Sequence, residues 1–89
     1  MEDPMIGTIE DALKRYLGEQ LLIDFVGEID ENTDLFQMGL MDSYNYIESI
    51  RFIELEFNVR FTNEEILTDV VTSLSGLTAL VSNKIAMQV

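Results

Sequence analysis

Apolar positions recur with a helical period along most of the chain. Ile6, Ile9, Leu13, Tyr16 and Leu17 fall on one face, with Leu21 one turn further on. Asp3-Pro4 places an N-cap and a first-turn proline ahead of them, so a first helix is expected from about Pro4 to Leu22. A second stripe, Tyr46, Ile50, Ile53 and Phe57, begins after Asp42 or Ser43 and ends at Asn58, a residue that tolerates left-handed backbone. Glu48, Arg51 and Glu54 lie on its other side. Thr62-Asn63-Glu64-Glu65 reads as a capping box, and Ile66-Leu67 directly behind it predict a short third helix of one or two turns. Thr72 or Ser73 caps a last helix carrying Leu74, Leu77, Val81 and Ile85, with Lys84 suited to its negative end. Val59-Arg60-Phe61 is too short to build a sheet. The expected fold is all-α, a small bundle of three longer helices plus one short helix.

Between the first two helices runs a connection, about Asp24 to Asp42, rich in Asp, Glu, Asn, Thr and Gly. A linker of this length in a compact domain is usually functional or packed on itself. Apolar residues at Phe25, Val26, Ile29, Leu35, Phe36, Met38 and Leu40 are expected to pin it.

Composition narrows the chemistry. Eighty-nine residues, 47% of them hydrophobic, suffice for one small core, so residues 1–89 are read as a single domain. Cysteine and histidine are both absent, which removes disulfides and the familiar zinc spacings. Seventeen acidic residues against five basic ones leave a net charge of −12, and residues 24 to 69 hold twelve acids and two bases. Such a field repels nucleic acid and implies partners with basic patches. Met1-Glu2-Asp3 is acidic and no apolar run approaches a membrane span, so a cytoplasmic monomer without a membrane span is expected.

Against this background Gly39-Leu40-Met41-Asp42-Ser43 stands out, because it delivers a serine to the point where an acidic loop becomes a helix. With no histidine to activate it, Ser43 suits receiving a group better than performing chemistry, and no catalytic residue is assigned. A calcium loop beginning at Asp30, Asn32 and Asp34 fails on Leu35, where a glycine is required, and on Met41, where the bidentate glutamate belongs. No metal site is assigned. An acidic helical adaptor that is never modified would share the composition and the stripes, but it gives no reason for the step leading to Ser43.

The run Asp30-Glu31-Asn32-Thr33-Asp34-Leu35-Phe36, then Gly39-Leu40-Met41-Asp42-Ser43, then Glu48 and Glu54 on the next helix, resembles the acyl carrier proteins. Leu17-Gly18-Glu19-Gln20-Leu21 is similar to the corresponding segment of fatty-acid carriers. The resemblance implies that Ser43 is esterified by 4′-phosphopantetheine from coenzyme A, with Asp42 in support, and that the thiol of this arm carries acyl or aminoacyl groups as thioesters. It implies a partner surface of Glu48, Glu54, Ile47, Arg51 and Tyr44, and three kinds of partner: a phosphopantetheinyl transferase, an acyl-loading ligase or acyltransferase, and synthase enzymes with basic docking patches. Tyr44 and Arg51 depart from the fatty-acid pattern, where apolar residues are commoner. Ser49 stands where a buried leucine is usual, leaving either room for an unusual cargo or a hydroxyl bonded back to its own helix. Fatty-acid, polyketide and aminoacyl pathways all remain open.

Overall fold

The computed structural model describes residues 4–68 and 70–87, and within them every regular element is a helix. They are α1 (Pro4–Gln20), α2 (Ser43–Phe57), α3 (Asn63–Thr68) and α4 (Leu74–Met87). The result is the small bundle of three longer helices and one short one that the periodicity predicts. The expected cap at Asp3 and the Ile6 side chain lie outside what is described.

Each long helix sends one stripe inward. Ile9, Leu13 and Leu17 of α1 meet Tyr46, Ile50 and Ile53 of α2 and Leu74, Leu77 and Val81 of α4, all buried. Burying these side chains supplies the main favourable term of folding. Tyr16, Leu21, Phe57 and Ile85, also predicted for the stripes, are half-buried at its margins. α1 packs most extensively on α4, and α2 closes against both.

The ends of the helices follow local chemistry. Asn58 adopts φ 53° and ψ 49°, and its N–H donates to the Glu54 carbonyl, which ends α2. Ser73, rather than Thr72, caps α4, its Oγ accepting the Gly76 N–H at 3.1 Å. α1 stops at Gln20, two residues short of the expected Leu22. Leu22 itself turns left-handed at φ 58°, which throws its side chain into solvent (84% exposed) and drops Ile23 into the core.

The connection from 21 to 42 is ordered by its own side chains. Asp30 Oδ1 accepts the Asn32 N–H at 2.8 Å, and Thr33 Oγ1 accepts the Asp30 N–H at 2.8 Å. The loop is then fastened to the start of α4: Leu35 N–H donates to the Thr72 carbonyl at 2.8 Å and Ser75 N–H to the Glu31 carbonyl at 2.7 Å. Two of the expected anchors are corrected. Val26 and Met38 are 63% and 49% exposed, because turns at those positions direct them outward, and Met41 and Val59 take core positions instead.

Ser49 is fully buried, and its hydroxyl donates to the Asn45 carbonyl one turn back at 2.8 Å. Next to it Tyr16 stacks on Phe52 with centroids 4.2 Å apart and planes 20° apart. Burial pushes the Tyr16 phenol above its ordinary range, while the neighbouring Ser49 hydroxyl pulls the other way. A raised pKa in the folded state makes its contribution complete below the unfolded value of about 10, and that contribution is lost as pH climbs through the folded value. Urea denaturation followed against pH should therefore show stability falling above the ordinary tyrosine range. Tyr16→Phe should flatten part of that fall.

Candidate functional site

The site is assembled by the residues that bring the chain to α2. Asp34 Oδ1 accepts the N–H groups of Phe36 and Gln37, both at 3.1 Å, and its carbonyl accepts that of Met38. This single turn is closed by Gly39 at φ 74°. Gly39 N–H donates to the Phe36 carbonyl at 3.0 Å and Leu40 N–H to the Leu35 carbonyl at 2.9 Å, the paired bonds of a Schellman termination, which needs left-handed backbone at the glycine. The Leu35 carbonyl also accepts the Met41 N–H at 3.2 Å.

From there the chain runs extended into α2. Met41 enters the core, and Asp42 takes φ −118° and ψ −177° as N-cap. Asp42 Oδ1 accepts the Asn45 N–H at 2.8 Å while Asn45 Oδ1 accepts the Asp42 N–H at 3.3 Å, a capping box with Asn in the usual place of Glu. Phe36 meets Tyr46 edge-on at 5.9 Å, which ties the turn to the helix it feeds. Ser43 is thus the first residue of α2, exposed, between a buried Met41 and a buried Tyr46.

Around it the structure gathers the predicted residues on one face of α2. Tyr44 (70% exposed), Ile47 and Arg51 point outward in line from Ser43, with Glu48 half-buried beside them. Glu54 lies on the same face, but one of its carboxylate oxygens accepts the Phe61 N–H at 3.0 Å and so also holds the turn leading to α3. Leu55, which the sequence reading did not single out, extends the row and is 87% exposed. Its signal was available: a leucine one turn beyond Arg51 and off the core stripe. Ile47, Arg51 and Glu54 also edge a groove of about 420 Å³ shared with Phe61, Ile66 and Leu67.

Ser43 stands at the positive end of α2. The first turn of a helix presents open N–H donors and the positive end of its dipole, a favourable setting for an added anionic group on the Ser43 oxygen. Asp30 and Asp34 are occupied in holding turns, and among the described residues no cluster of His, Cys, Asp or Glu is arranged to hold a metal ion. No described helix is long and apolar enough to cross a membrane. Comparison of the chain with family models, with curated proteins and with solved structures finds no match in any of the three.

Two effects should separate in thermal or urea unfolding. Asp42→Ala removes the cap and should cost about 1 kcal/mol, whereas Ser43→Ala should stay within about 0.5 kcal/mol of wild type. Gly39→Ala meets no neighbouring atom, so its expected cost of about 1 kcal/mol comes from left-handed backbone alone, and the same titration measures it.

Proposed function

We propose that this protein is a carrier: Ser43 receives a 4′-phosphopantetheine arm from coenzyme A, and acyl or aminoacyl groups travel on that arm between enzymes. The observation that carries the reading is the Gly39 to Ser43 step, in which a Schellman turn, a buried Met41 and an Asp42 capping box present one serine at the first turn of an outward-facing acidic helix. The resemblance to acyl carrier proteins in the same residues supports it.

The parts of the site fit an esterified serine. Ser43 supplies the oxygen that bonds to the pantetheine-side phosphorus of coenzyme A, the pyrophosphate P–O bond breaks to release adenosine 3′,5′-bisphosphate, and the proton Ser43 gives up passes to a base of the transferase, this chain having no histidine. Asp42 fixes the helix start, so the hydroxyl is held outward. When bound, the arm supplies a thiol for thioester chemistry. Tyr44, Ile47, Glu48, Arg51 and Glu54 run along α2 from Ser43 on the face a partner meets, and the acidic field steers enzymes with basic patches toward it. Fatty-acid, polyketide and aminoacyl pathways are equally compatible with these residues. A cytoplasmic setting, a monomeric state and absence of enzymatic activity belong to this same proposal.

Incubation with coenzyme A, magnesium and a broad-specificity phosphopantetheinyl transferase, followed by intact mass measurement, tests it. One added phosphopantetheinyl group in the wild type and none in Ser43→Ala is the expected result. Folded protein that stays unmodified overturns the reading and favours an adaptor that acts by binding alone.

A further inference from the structure

The two bases that stand among the twelve acids of residues 24 to 69 are Arg51 and Arg60, and the fold brings both to one place. Arg51 and Leu55 lie one turn apart on α2. The left-handed Asn58 then turns the chain back, so that Val59 enters the core and Arg60 returns beside them. Together they line an open groove of about 460 Å³ at the C-terminal end of α2, adjoining the one that Ile47 and Phe61 edge. Both arginines are exposed, and among the described residues neither guanidinium has an ion-pair or hydrogen-bond partner. The carboxylate in the lining belongs to half-buried Glu54, which accepts the Phe61 N–H. Between the two cations Leu55 is the most exposed large apolar side chain among the described residues. A cation near the negative end of a helix is favoured by the dipole alone. That accounts for neither the groove nor the leucine in it.

We propose that this groove is a second contact on the partner surface, opposite in sign to the first, and that it takes an apolar side chain flanked by carboxylates on a client enzyme. The identity of the partner as a client enzyme rests on the carrier reading; the binding chemistry does not. Each guanidinium offers a planar fork of donors that matches a carboxylate, and an apolar side chain laid on Leu55 removes area from water on both sides. A nucleic acid or an anionic membrane would bring extended negative charge against a chain of net charge −12. Two carboxylates at contact distance instead meet the arginines well inside a Debye length of about 8 Å. The upper end of α2, with Asp42 and Glu48, attracts bases, while the lower end attracts acids. A partner that meets both can lie along the helix in one direction only.

Titration of the unmodified protein with short blocked peptides, followed by NMR at the arginine Nε–H and leucine methyl signals, tests it. The peptide Glu-Phe-Glu is expected to shift Arg51, Leu55 and Arg60 together and saturably, and to bind about three- to ten-fold more tightly than Glu-Gly-Glu. Lys-Phe-Lys should leave these signals in place. Arg51→Gln and Arg60→Gln should each weaken Glu-Phe-Glu by about two- to five-fold, and Leu55→Ser should erase the advantage of the phenylalanine peptide. All three side chains are exposed, so the variants should keep the wild-type circular dichroism. The proposal is overturned by an absence of saturable shifts, by equal binding of Lys-Phe-Lys, or by inorganic phosphate binding as well as Glu-Phe-Glu, which would mark a plain anion site. Because no transferase is used, failure here is distinct from failure of Ser43 to accept an arm.

Discussion

Leu35 is where the long connection turns from a flexible length of chain into a platform. Its side chain is fully buried, its N–H reaches the Thr72 carbonyl, and its own carbonyl accepts two N–H groups from the residues that lead into α2. One residue therefore joins the loop to the core, to α4 and to the start of α2. The Gly39 turn, the placement of Met41 and the exposure of Ser43 all follow from the direction the chain takes there. Without that anchor the acidic run before it would have too little apolar content to hold a shape of its own.

The helices were legible because their signals are local. A 3.6-residue apolar period, an Asp, Thr or Ser before the first turn and an Asn after the last need only neighbours within a few residues, and α2, α3 and α4 begin where such residues predict, while α2 ends at its Asn. The departures all involve partners distant in sequence or backbone torsions that residue type does not announce. Leucine disfavours positive φ, so nothing marked Leu22 as the place where α1 gives way to an inward Ile23. Val26 and Met38 look like anchors by composition and are turned out by their local bends. Lys84 stands in the last turn of α4 as expected, but its pairing with Glu65 of α3 was not readable, because Glu65 is within range in the fold and nowhere near in sequence. Of the site, Ser43 and its cap were readable; the second task of Glu54, holding the Phe61 N–H, was not.

Ser49 shows how a polar residue is accommodated without a functional role being required. Its hydroxyl bonds to the Asn45 carbonyl in its own helix, so a buried position that would suit leucine holds a satisfied serine. Arg51 differs in kind. It is exposed on a face otherwise dominated by acids and apolar side chains, so a partner designed only around positive charge would meet a mismatch there. On the carrier reading, that single residue makes the face selective among enzymes that all favour an acidic helix.

The bonds that fasten the loop to α4 bear on the order in which the chain acquires its shape. Ser75 Oγ donates to Asn32 Oδ1 across 43 positions of sequence, alongside the backbone bonds from Leu35 to Thr72 and from Ser75 to Glu31. Contacts so far apart require closure of a long segment before they contribute, which places them late in folding. The segment that leads to Ser43 is therefore seated against α4 by residues that lie far behind it in the chain, at Thr72 and Ser75. Residues that never touch Ser43 thus share in setting where it stands.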